Sequence, residues 1–183
     1  MKSIIILLGI LFLSSCSDLQ KPEHLEKLKS LSSDIKAIRV TRKNINVDSM
    51  FLIINKIETL EKRMKENFQD DTLDLLLIEN LDSYKRIRPV LSMIKQSFPM
   101  MDDAILLREN SLETLKLDIE NGAGNRSKYG EYISLERIEI EELKSFVNYC
   151  DSATRQSFKT FNNLHPDLEK FALELELKNR NEN

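Results

Sequence analysis

The sequence predicts an all-α protein, an elongated antiparallel helical bundle of five to six helices. Three observations carry that prediction. Apolar residues recur at three- and four-residue spacing along nearly the whole chain, which is the spacing of one helical face. The chain has only four Gly and four Pro, and Gly122, Gly124 and Gly130 crowd into one short stretch. A β-sandwich or a phosphate-cradling α/β fold would need turn glycines spread along the chain. Finally, 41% hydrophobic and 31% charged residues over 183 positions is the balance of a globular domain and excludes disorder.

The elements follow in order. Leu25, Leu28, Leu31, Ile35 and Ile38 set a first helix over 23–39, with Glu23 and Lys27 at a supportive spacing. Thr41 to Val47 breaks the period, and Asp48 or Ser49 is expected to cap a second helix carrying Met50, Ile53, Ile57, Leu60, Met64 and Phe68. Gln69-Asp70-Asp71 caps a third, with Leu73, Leu77, Leu81, Tyr84, Leu91, Ile94 and Phe98 on its stripe. Pro89 predicts a kink or break inside it, and Pro99 is read as its end.

Met101, Ile105, Leu112, Leu115 and Ile119 form a fourth stripe, with Arg108 at its one polar seam position. Asn121-Gly122-Ala123-Gly124-Asn125 is the clearest loop and makes the flanking helices antiparallel neighbours. A fifth helix over Ser127–Phe161 carries Ile133, Ile140, Leu143, Val147, Cys150, Phe158 and Phe161, interrupted by Glu136, Thr154 and Ser157. At ~52 Å if continuous, it must bend near Cys150–Ser157 or belong to an elongated bundle, and the latter is the expectation. His165-Pro166 restarts the chain into a short last helix with Leu168, Phe171 and Leu175, and the polar end from Lys178 is expected to fray. Residues 23–183 read as one helical domain, with no internal linker and no repeat.

The start of the chain has a different character. Met1-Lys2-Ser3 is followed by ten uncharged residues, Ile4 to Leu13. Ten helical residues span ~15 Å, half of a hydrocarbon core, so this is a secretory signal peptide rather than a membrane span. Leu13-Ser14-Ser15-Cys16 resembles the lipobox of bacterial lipoproteins. The resemblance implies that residues 1–15 are removed and that Cys16 carries a diacylglycerol thioether. It also implies a further acyl chain, palmitate or similar, on the new amino group, with 16–22 as a lipidated tether. Two or three chains give stable anchoring where one does not. Ser17 rather than Asp follows the Cys, which by resemblance favours the outer membrane. The single acid before Lys21 favours the periplasmic face over the cell surface.

Reactive groups are few. Cys150 lies on an apolar seam and reads as a core residue. Neither His24 nor His165 is expected to pair with an acid on a core face. No zinc, di-iron, haem, triad or phosphate-loop pattern occurs, so no enzyme, metal or cofactor is expected. The carboxylate clusters Asp70-Asp71-Asp74, Asp102-Asp103 and Glu136/Glu139/Glu141/Glu142 read as caps and solvated face. A net charge of −3 gives no case for nucleic acid. The candidate partner-binding patch is Lys85, Arg86 and Arg88 with Tyr129 and Tyr132, the last two as exposed aromatics or as staples of the hairpin. The expected function is that of a membrane-anchored envelope lipoprotein whose helices bind or scaffold another envelope protein. The alternative is a carrier for a lipid or small apolar ligand, its pocket lined by Met50, Met64, Met93 and Phe side chains.

Overall fold

The computed structural model describes residues 20–68 and 75–182. The expected signal peptide, Cys16 with most of the expected tether, and the expected Gln69-Asp70-Asp71 cap with Leu73 and Asp74 lie outside the described residues. Within them the chain is helical and has no strand. It forms α1 (Lys21–Asn44), α2 (Val47–Asn67), α3 (Leu75–Asn121), a 3-10 turn (Arg126–Lys128) and α4 (Tyr129–Glu182). The all-α bundle is as expected. The count of five to six helices is not, because two expected pairs of helices have each fused.

The fusions occur at prolines. Pro89 and Pro99 lie inside α3 and Pro166 lies inside α4. Each removes the N–H that would bond the carbonyl four residues back, on Lys85, Lys95 and Asn162 respectively. All three prolines and all three of those residues are exposed, so solvent can reach the freed carbonyls. The break at Pro99 and the restart at His165-Pro166 are therefore both absent. The end from Lys178 does not fray as far as Glu182 either. Asn179 Nδ2 donates to the Asn67 carbonyl at 2.9 Å, one of the acceptors that the end of α2 leaves without an intrahelical partner. At the other end of α2 the cap is Asn46, not Asp48 or Ser49: its side chain accepts from Ser49 N at 2.9 Å.

Buried positions alternate by three and four along α1, α2 and the middle of α3. They are Leu28, Leu31, Ile35 and Ile38 in α1, and Met50, Ile53, Ile57, Leu60 and Met64 in α2. In α3 the alternation is unbroken from Tyr84 through Ile87, Leu91, Ile94, Phe98 and Met101 to Ile105. A mean spacing of 3.5 residues is the seam of a coiled-coil type of packing, narrower than the stripe of an ordinary surface helix.

The contacts fall into two compact units. The first takes Met1–Lys36 with Leu106–Glu141, and the second takes Ala37–Ile105 with Glu142–Asn183. In the first unit α3 ends in a Schellman turn. Ala123 N donates to Asp118 O at 2.8 Å and Gly122 N to Ile119 O at 3.3 Å, with Gly122 at φ 64° and Gly124 at φ 71°. Lys21 Nζ donates to the Glu120 carbonyl at 2.6 Å, which ties the start of α1 to the same end of α3. In the second unit α2 runs in the same direction as α4. Arg63 bonds Glu169 and Glu176, while Asn67 meets Asn179. α3 runs against α2, with Lys95 over Phe51 and Arg88 facing Glu58 and Glu61, and Arg42 at the end of α1 bonds Asp102 at 2.7 Å and stacks on Phe98.

Candidate binding groove and the polar layers of the bundle

A concavity of about 720 Å³ lies in the second unit, between the second half of α2 and the first half of α3. Its floor is Leu60, Met64, Phe68, Leu81 and Pro89, with Tyr84 at the base, and its rim carries Glu58, Glu61, Lys65, Lys85 and Arg88. The lining follows from register. Glu58, Glu61, Lys65 and Phe68 form one three-four stripe on α2, as Leu81, Lys85, Arg88 and Ser92 do on α3, each flanking the buried seam. Arg88 NH1 is 3.5 Å from both Glu58 and Glu61.

Tyr84 also begins a hydrogen-bond chain that runs from the core to the surface. Its hydroxyl lies 2.6 Å from His165 Nδ1, and His165 Nε2 lies 3.0 Å from a Glu169 carboxylate oxygen. A carboxylate only accepts, so Nε2 carries the ring proton, Nδ1 accepts, and the tyrosine donates. Glu169 then accepts from Arg63 NH1 at 2.8 Å, and Arg63 Nε donates to Glu176 at 2.7 Å. Tyr84, Phe161 and His165 stack. Burial pushes the Tyr84 phenol well above its ordinary value, with the charges of Glu169 and Glu61 adding to it, so it stays a donor. Burial also holds His165 below its ordinary value, with Lys56 and Arg63 acting in the same direction and Glu169 opposing them. His165 thus does sit four residues from an acid on a core face, contrary to the reading of the sequence.

The first unit has a simpler layer. Arg108 NH1 bonds Glu136 at 3.2 Å across α3 and α4, with both side chains largely buried. The sequence shows both as interruptions of apolar seams without joining them. Counting equal numbers of residues outward from the Gly122–Gly124 turn along the two helices would have brought them close together.

The candidate patch divides. Lys85 and Arg88 line the groove of the second unit, whereas Arg86 points to solvent beside Asp82 at 3.8 Å. Tyr129 belongs to the first unit and is 1% exposed. Its hydroxyl donates to the carbonyls of Asp118 and Ala123, so it staples the hairpin and offers no surface. Tyr132 is exposed and lines a shallow polar depression of about 400 Å³ with Ser111, Thr114 and Leu135. His24 is buried edge-on to Tyr129, and its Nδ1 has no hydrogen-bond partner. Cys150 is a buried free thiol that burial pushes up, which makes it unreactive. Of the methionines expected to line a pocket, Met64 lines the groove, Met50 is sealed in the core and Met93 faces solvent.

Among the described residues no three His, Cys, Asp or Glu side chains gather where they could hold a metal ion. No described helix is long and apolar enough to cross a membrane. Comparison of the chain with family models, with curated proteins and with solved structures gave no match.

Proposed function

We propose that this chain is a lipid-anchored lipoprotein of the cell envelope whose helical bundle binds or scaffolds another envelope protein. The anchor reading rests on Leu13-Ser14-Ser15-Cys16 and the apolar segment before it. The binding reading is carried by one observation in the first unit. Tyr132, Leu135 and Ile138 follow one another at three-residue spacing along α4 and are 38%, 54% and 51% exposed. Neighbouring apolar side chains on a helix face, one of them aromatic, form the kind of surface a partner helix covers. The outer membrane, periplasmic face, is the proposed location.

Two experiments test this reading. Cys16→Ala should release the protein from membranes while leaving its helical circular dichroism unchanged; a variant that still sediments with membranes contradicts the anchor. A photo-crosslinking phenylalanine placed at Leu135 should give a discrete adduct in living cells, and one at the exposed Glu113 should not. Identical adducts at both positions, or none at either, would contradict a specific surface. A second reading, a carrier for a lipid or similar apolar molecule, is favoured by the groove beside α2 and α3.

A further inference from the structure

We infer that the groove of the second unit binds a single-chain amphiphile with an anionic head, of the fatty-acid class. Its tail would lie on Met64, Phe68 and Leu81, with its head between Lys65 and Lys85. The inference rests on the carrier reading and specifies its ligand.

Size selects a small molecule over a protein. The α2 wall runs from Glu58 to Phe68, about three turns or ~15 Å. A stable protein interface buries ~800 Å² on each side, more than so short a groove offers. A volume of about 720 Å³, by contrast, lies inside the range of small-molecule sites. The floor is apolar, and Met64 supplies an unbranched, adaptable side chain that can follow a flexible tail.

Charge then selects the head. Five charged residues line the groove. Arg88 already faces Glu58 and Glu61, and the Tyr84 hydroxyl is committed to His165. Lys65 and Lys85 have no ion-pair partner among the described residues, and they stand on opposite walls. The groove's uncommitted charge is therefore positive. Flexible lysine stems can keep their ammonium groups at the rim while their methylenes cover the tail.

Calorimetric titration of the chain from residue 16 onward, carrying Cys16→Ala, tests this. The ligands are dodecanoate, uncharged monododecanoylglycerol and dodecyltrimethylammonium, each below its micelle concentration. Dodecanoate should bind tightest, one molecule per chain. The double variant K65E/K85E, altered at two exposed positions, should lose about tenfold in dodecanoate affinity and keep its affinity for the neutral ligand. Leu81→Trp, which fills the groove, should abolish binding of both. Equal affinity for the charged and neutral ligands, unchanged in K65E/K85E, would overturn the anionic head and leave the carrier reading standing. Tighter binding of the cationic ligand would likewise overturn it. Unchanged dodecanoate affinity in Leu81→Trp would place the site elsewhere and overturn the inference. Binding of none of the three would remove the carrier reading itself.

Discussion

The two units place polar side chains on the same kind of apolar seam and satisfy them by different means. In the first, a single Arg108–Glu136 pair spans α3 and α4, with both side chains largely buried. In the second, Tyr84, His165, Glu169, Arg63 and Glu176 form a chain across three helices, with a neutral imidazole at its centre. The local constraints explain the contrast. α3 and α4 of the first unit are already held in register by the Schellman turn and by the Tyr129 hydroxyl on the loop carbonyls. α2 has no such turn to hold it against α4. The network from Arg63 to Glu169 and Glu176 is what fixes its register there, a role for which buried polar groups are suited. A second contrast follows. The first unit exposes an apolar run on one helix, and the second opens a groove between two.

The largest expected effect tests the seam that both layers interrupt. Leu91→Ala, at a fully buried position, should cost ~2–5 kcal/mol in urea unfolding. Met93→Ala, two residues further on and facing solvent, should cost no more than ~0.5 kcal/mol. Equal costs would mean that the phase of α3 is wrong.

The next effect separates the two tyrosines. Tyr84→Phe leaves His165 Nδ1 without a donor in a buried layer and should cost ~1–3 kcal/mol. Tyr129→Phe frees two carbonyls at the end of a helix beside an exposed loop, and should cost less than Tyr84→Phe. A reversed order in thermal or urea unfolding would break the contrast between a network-held unit and a turn-held one.

A smaller effect is a pH dependence confined to the second unit. His165 is held below 6.5, so the folded state favours the neutral ring and the unfolded state binds more protons in that window. Its contribution to stability is therefore complete above pH 6.5 and is lost as the pH falls from there through the folded value. The difference in unfolding free energy between wild type and His165→Gln should shrink between about pH 7.5 and pH 5.5. The corresponding difference for Arg108→Met, which leaves the His165 imidazole and its partners untouched, should stay flat over the same window. Smallest of all, Arg86→Ala removes an exposed contact to Asp82 at 3.8 Å and should leave stability within ~0.5 kcal/mol of wild type.

Much of this was legible in the sequence. Most of the residues named for each stripe are buried, although Leu25, Phe68, Leu77, Leu81, Leu143, Phe158 and Phe171 are only half-buried. Asn121 to Asn125 is the turn, and both signals were readable because they depend on spacing within one segment. What was not legible depended on which face of a helix met solvent. Pro89 read as a kink or break, Pro99 as an end and Pro166 as a restart, and each is tolerated inside a helix because it lies at an exposed position, which is a tertiary fact. The candidate patch divided for a similar reason. Tyr129 and Tyr132 stand three residues apart near the same loop, yet one points into the hairpin and the other outward. The Tyr84–His165 contact joins residues 81 positions apart, and no local pattern could announce it. The i,i+4 pair His165/Glu169 was visible and would have been the better clue.

The claim that the second unit holds a neutral, closed hydrogen-bond layer is tested most directly by nuclear magnetic resonance of the nitrogen-15-labelled imidazole of His165. The account predicts the Nε2-protonated tautomer with Nδ1 as acceptor, and a titration midpoint below 6.5. In Tyr84→Phe the Nδ1 signal should move toward that of an unbonded nitrogen. An Nδ1-protonated ring, or a midpoint at or above 6.5, would contradict the account. It would mean that the charge of Glu169 outweighs burial, and that His165 joins the ion pairs Arg63 makes with Glu169 and Glu176.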